Sequence, residues 1–274
     1  MSTSMLSARE TEALLLIGCY RYLTRKQVEE FLLADVGMTP LSREVVTRRI
    51  LRRLTVRGLI RATDRLVGGR GGGSVGLAYS LTADGAQFAA SLEPGLPARR
   101  PAAKGTFLLQ HALVTADFAL ALRRAANAQG HELLEWECDW KAAVRLGSSA
   151  VVPDAHFVYA TPDRELEAFL EVDLGTEGTR FFARKIARYI DLFRSGSWQK
   201  RFPIWPVVLV VTPTEQRIAA IKRATENAIE REPDASKLWK QMEFAFAALP
   251  RVVAESPLAS IWSVAGKKTE CALL

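Results

Sequence analysis

Cysteine is scarce in this chain: three in 274 residues, Cys19, Cys138 and Cys271, far apart and odd in number. Such usage points to a reducing compartment, and a cytoplasmic setting is the expectation. Histidine is equally rare, with three copies, and no Cys/His or His/His pair has the spacing of a zinc site. The longest apolar runs, 13–19 and 207–211, fall well short of the ~18–20 residues needed to span a bilayer. No basic stretch followed by an apolar segment opens the chain, so no secretory leader and no membrane partner are expected. No serine sits in a nucleophile-elbow context and no Cys/His pairing supports nucleophilic catalysis.

Negative charge is nearly missing from one stretch. Between Arg43 and Arg70 stand nine arginines, opposed only by Glu44 and Asp64. Residues 1–105 hold 16 Lys and Arg against 9 Asp and Glu, whereas residues 106–274 hold 21 of each. The whole formal charge of +7 therefore belongs to the N-terminal third, and its natural partner is a polyanion.

The elements around those arginines read as helix, helix, helix, strand, glycine-rich tip, strand, helix. Ser7, with Glu10 three residues on, caps a first helix over 7–23, and Thr24 caps a second, Arg25–Leu33. After the break at Gly37-Met38-Thr39-Pro40, Ser42 is expected to open a third helix ending near Val56. Strands over 61–67 and 77–81 flank the tract Gly68-Gly69-Arg70-Gly71-Gly72-Gly73, and a short helix over 83–91 closes the set. This is the order of a winged helix-turn-helix, in which the third helix enters the major groove of duplex DNA and the wing lies on phosphates or in the minor groove. At ~100° per residue, Val46, Ile50 and Leu54 form the core stripe, and Val45, Arg48, Arg49 and Arg52 the opposite face. Arg48, Arg49 and Arg52 are candidates for guanine contacts, Arg43 and Arg53 for phosphates, and Arg70 for the wing tip. The spacing Gly71-x-Gly73-x-x-Gly76 matches a dinucleotide fingerprint, but a strand pattern follows it rather than a helix, so it is read as a hairpin tip.

Residues 93–105, with three prolines and two glycines, read as a linker. Beyond it come a helix (106–129), strands (133–140, 150–159 and 166–174), a helix (179–193), the continuous apolar strand 206–212 and a helix (215–230). The order is αβββαβα. Asp154 and Glu171 fall on neighbouring strands, and a period of two puts Glu171 and Asp173 on the same side of theirs. Two such carboxylates are suited to a hard divalent cation such as Mg²⁺. His111 and His156 read better as packed structural residues than as ligands.

Pro153-Asp154 followed by Glu171-x-Asp173 on such a core resembles the PD-(D/E)XK nuclease superfamily. The whole chain resembles the replication-relaxation family of plasmids and mobile elements. The resemblance is carried by the winged helix, His111-Ala112-Leu113, Val152-Pro153-Asp154, the run from Phe169 to Glu177, and Lys185 and Tyr189. It implies an α+β / α/β chain: a winged helix-turn-helix (1–92), a linker (93–105) and an αβββαβ restriction-endonuclease-like domain (106–274). It also implies double-stranded DNA binding in replication, relaxation or mobilisation, with replication or mobilisation proteins as expected partners. Many winged-helix proteins dimerise and the second domain has spare apolar surface, so a homodimer is a further expectation. Asp173 stands where the nuclease pattern has lysine. The site would then use Asp154 and Glu171 as Mg²⁺ ligands, Asp173 as an extra ligand or water orienter, and Lys185 as the transition-state cation. Alternatively the acids are structural, Asp154 capping a turn and Glu171 and Asp173 pairing with Arg180, Arg184 or Arg188, on a fold that only binds. A regulator whose second domain senses a small molecule is the third reading.

Overall fold

A computed structural model describes residues 6–63, 77–98, 106–176 and 178–274. Two compact units make up the chain, residues 1–120 and 121–274.

The first unit opens with α1 (Ala8–Tyr20), β1 (Leu23–Thr24), α2 (Arg25–Leu33) and α3 (Pro40–Val56). β2 (Ile60–Ala62), β3 (Ala78–Leu81) and α4 (Ala83–Leu92) follow. The expected capping box of Ser7 with Glu10 is present on α1, and Thr24 caps α2 as expected, with Gln27 completing a second box. α3 begins two residues before Ser42: Thr39 is the N-cap, its hydroxyl accepting from the Ser42 N–H, and Pro40 takes the first turn, where its missing N–H costs nothing. The three strands form an antiparallel sheet in the order β1-β3-β2. Residues 64–76, which include the glycine tract and Arg70, lie outside the described residues.

The core side of α3 differs from the expected stripe by a fraction of a turn. Thr47, Ile50, Leu51 and Leu54 are buried, while Val46 is only half-buried. Thr47 can occupy a core position because its hydroxyl donates to the Arg43 carbonyl at 2.8 Å, leaving no unsatisfied polar atom. Of the expected linker, 93–98 is described. There Leu96 is buried, its Cδ2 lying 3.0 Å from where a Cβ on Gly18 of α1 would stand.

α5 (Thr106–Gln129) begins in the first unit and ends in the second. Its first half is held to α2 by Gln27, whose Nε2 donates to the Leu113 carbonyl at 2.9 Å and to Asp117 Oδ1 at 2.7 Å.

In the second unit β4 (Glu132–Cys138), α6 (Asp139–Ala142) and the hairpin β5 (Val144–Leu146) and β6 (Ser149–Val151) precede β7 (Ala155–Ala160) and β8 (Glu165–Val172). Next come α7 (Thr179–Ser195), β9 (Val207–Thr212), α8 (Glu215–Glu230), α9 (Ala235–Gln241), β10 (Phe244–Ala248), α10 (Leu249–Ala254), β11 (Trp262–Val264) and β12 (Glu270–Cys271). One seven-stranded sheet runs β12-β11-β10-β9-β8-β7-β4. Strands β8, β9 and β10 are parallel, and the rest are antiparallel to their neighbours. The strand expected over 150–159 is two: Val152-Pro153-Asp154 separates β6 from β7, as a proline without an N–H ends a ladder. The expected strand 166–174 stops at Val172, so Asp173 lies past its end. The sheet also extends beyond the expected αβββαβα order, through β10, β11 and β12.

Candidate functional site

Phe169 and Glu171, two apart on β8, share the face of the sheet that α7 covers. Lys185 and Tyr189, four apart on α7, lie one above the other and both reach Glu171. The Lys185 ammonium donates to Glu171 Oε2, and the Tyr189 hydroxyl donates to Oε1 at 2.5 Å. The Phe169 and Tyr189 rings pack at 5.8 Å, which sets the helix on the strand. Glu171 is 1% exposed, so its charge has almost no water to screen it.

Asp154 stands at the start of β7, beside the end of β8. Its N–H donates to the Leu170 carbonyl at 2.9 Å, and its Oδ2 accepts the Val172 N–H at 2.7 Å. Burial pushes Glu171 up to about 7; the ammonium of Lys185 opposes this, and the nearby Asp154 carboxylate adds to it. Burial and the Glu171 carboxylate hold the Tyr189 phenol well above its ordinary value, so it stays a donor.

Asp173 belongs to a different pair. Arg217 of α8 grips it with two bonds, Nη2 to Oδ2 at 2.6 Å and Nε to Oδ1 at 3.2 Å, and the Gly175 N–H donates to Oδ1 at 2.7 Å. The partners expected for the two acids, Arg180, Arg184 and Arg188, are not the ones the fold supplies: Lys185 and Tyr189 take Glu171, and Arg217 takes Asp173. Arg217 carried no local signal, since it lies 44 residues from Asp173. Among the described residues, no group of three His, Cys, Asp or Glu is placed to hold a metal ion. Asp154 and Glu171 do approach one another, but the cation beside Glu171 is the lysine's own.

A second buried cluster lies on the same sheet. His156 of β7 donates from Nδ1 to Glu137 at 3.1 Å and from Nε2 to Glu167 at 3.2 Å. Burial disfavours the charged ring, but the bonds to Glu137 and Glu167 outweigh it and raise its pKa. Burial also works against the Glu137 carboxylate, yet His156 and Arg201 bring its pKa below the ordinary value. This histidine is a satisfied core residue, as its sequence context implied.

In the first unit, α3 turns Arg48, Arg49, Arg52 and Arg53 to solvent along with Val45, which is 46% exposed. Arg48 pairs with Glu44 one turn back at 2.5 Å. Arg49 and Arg52 have no carboxylate partner among the described residues. Arg43 is half-buried and its Nη1 donates to the Ala34 carbonyl at 3.4 Å, so it is drawn toward α2 rather than held outward.

Arg49, Arg52, Arg53 and Arg57 line a groove with Ser7, Glu10 and Val56. At its floor Glu10 is buried, with Oε2 accepting from the Ser7 N–H at 2.8 Å and Oε1 lying 3.5 Å from Arg53 Nη1. The Ser7 bonds, against burial and with help from Arg57 and Arg53, keep Glu10 ionised below the ordinary carboxylate range. The capping pattern identified Glu10 as a helix-start residue and missed this contact with Arg53.

A family model described as replication-relaxation matches residues 14–208. No curated protein and no solved structure matches the chain.

Proposed function

The chain belongs to the replication-relaxation family, and from that membership we propose that it is a duplex-DNA-binding accessory factor of plasmid or mobile-element replication, relaxation or mobilisation. In this reading the first unit is a winged helix-turn-helix. α3 is the helix laid in the major groove, Arg48, Arg49 and Arg52 face base edges, and Arg53 meets the backbone. The observation that carries the proposal is the outward face of α3, where Arg49 and Arg52 stand exposed and unneutralised among the described residues. Guanidinium groups held away from the protein's own acids keep their full attraction for phosphate, and each neutralised phosphate releases counterions.

The test is a binding titration of a duplex pool at several salt concentrations. If about 4–6 phosphates are neutralised, log K falls against log salt with a slope of roughly −4 to −5. The combined change Arg48→Ala, Arg49→Ala, Arg52→Ala is expected to weaken binding at least about tenfold and to flatten that slope. A wild-type slope near zero would sink the proposal.

The second unit is read as a nuclease-like fold serving as a binding platform. The convergence of Asp154, Glu171 and Lys185 favours the alternative of an Mg²⁺-dependent endonuclease, with the first two as the residues that would hold the ion. The donor set as arranged does not fit that ion: Lys185 and Tyr189 engage both oxygens of Glu171, and Arg217 holds Asp173. The two readings part on supercoiled plasmid incubated with Mg²⁺ or Mn²⁺. Nicking that disappears in Glu171→Gln would establish the enzyme, and intact plasmid supports the platform. No helix among the described residues is long and apolar enough to cross a membrane.

A further inference from the structure

We propose that α7 carries a second nucleic-acid contact, specific for single-stranded DNA, on the face turned away from the core. The inward side of this helix is fully used: Phe182, Ile186, Tyr189 and Ile190 are buried in the core, and Lys185 reaches Glu171. The outward side repeats arginine every fourth residue, at Arg180, Arg184 and Arg188, so the three form one stripe along the surface. Its only acid is Asp191, near the far end. Arg180 and Arg184 have no carboxylate partner among the described residues, while Arg188 donates to the Ala150 carbonyl.

Within this stripe sits Phe181, 44% exposed, with the Arg184 guanidinium 5.4 Å from its ring centroid. The apolar side of this helix is complete without Phe181, which leaves nearly half of its surface open to solvent. Duplex DNA has little use for it, because its base faces are hidden in the stack. A single strand offers both of the things this surface takes, phosphates for the arginines and unstacked bases for the ring. The inference does not depend on the role proposed for α3, which concerns a different unit and a different form of DNA.

The experiment is fluorescence anisotropy of the full chain with a labelled oligothymidylate and, separately, with a labelled duplex. The combined change Arg180→Ala, Phe181→Ala, Arg184→Ala is expected to lower oligothymidylate affinity at least about tenfold, leaving duplex affinity within about twofold. Phe181→Ala alone should account for about fivefold or more, the effect of losing one stacked base, and Phe181→Trp should retain binding. In the Arg48→Ala, Arg49→Ala, Arg52→Ala background, duplex binding should fall while oligothymidylate binding persists. Three results would overturn the inference: no oligothymidylate binding by the unchanged protein, equal binding by the α7 variant, or loss of oligothymidylate binding with the α3 arginines. If the α3 variant keeps its duplex affinity, the proposed role of α3 fails and the α7 result still stands by itself.

Discussion

At pH 8 the change Glu171→Gln is expected to stabilise the second unit. A carboxyl group raised from 4.5 to about 7 on folding binds its proton more tightly in the folded chain than in the unfolded one. Folding is therefore undisturbed by this group below pH 4.5, is increasingly opposed between pH 4.5 and 7, and carries the full cost above 7. At 1.36 kcal/mol per unit the cost above pH 7 is roughly 3 kcal/mol, already net of the attraction from Lys185. Near pH 5 it is below about 1 kcal/mol. The amide of glutamine keeps an oxygen for the Tyr189 hydroxyl, and the Lys185 side chain, 32% exposed, regains water when its partner loses charge.

The unit provides its own probe. All six tryptophans, Trp136, Trp140, Trp198, Trp205, Trp239 and Trp262, lie in residues 121–274. Urea denaturation followed by tryptophan emission thus reads the second unit without requiring the whole chain to unfold in one step. The variant should gain about 1–3 kcal/mol at pH 8, and the gain should shrink to within error near pH 5. A variant less stable than the parent at pH 8, or a difference that does not change with pH, would refute the claim that burial outweighs Lys185. A gain would mean that the chain retains a charge which costs it stability, as sites kept for function commonly do.

His156 should show the opposite pH dependence. Its raised pKa makes its contribution complete below about pH 6.5, the unfolded value, and lost as pH rises through the folded one, so His156→Gln should cost about 2 kcal/mol or more at pH 6 and progressively less toward pH 9 by the same tryptophan assay. Gly85→Ala should cost the first unit about 3 kcal/mol, because the added Cβ would fall 1.8 Å from the Leu59 carbonyl oxygen, where backbone rather than a yielding side chain stands in the way. Thermal melting followed by far-ultraviolet circular dichroism should show that loss while the tryptophan transition stays unmoved.

Local chemistry was legible in the sequence wherever a few neighbouring residues decide the outcome. The caps at Ser7 and Thr24, and the box that Glu10 closes on Ser7, could be read because a cap and the groups it meets lie within three residues. α8 matched from Glu215 to Glu230, and α5 from Thr106 to Gln129. The start of α3 was misplaced because Thr39 and Ser42 are both good caps, and the proline between them decides for the earlier one. The outer strands were missed because segments as short as β11 and β12 carry too few residues to show a period of two.

The carboxylate site marks the limit of such reading. In the sequence Glu171-Val172-Asp173 is one acidic motif, and alternation along an unbroken strand would turn both acids the same way. The fold divides it. β8 ends between them, leaving Glu171 inside the strand and Asp173 just past it, though the Asp173 N–H still reaches the Val211 carbonyl of β9 at 2.9 Å. The helix after β8 brings Lys185 and Tyr189 to the first acid, and the helix after β9 brings Arg217 to the second. Successive strand-helix units thus supply a separate cation to each carboxylate. Parallel pairing of β8 with β9 sets that division, and it joins segments about 40 residues apart, so no window along the chain contains it.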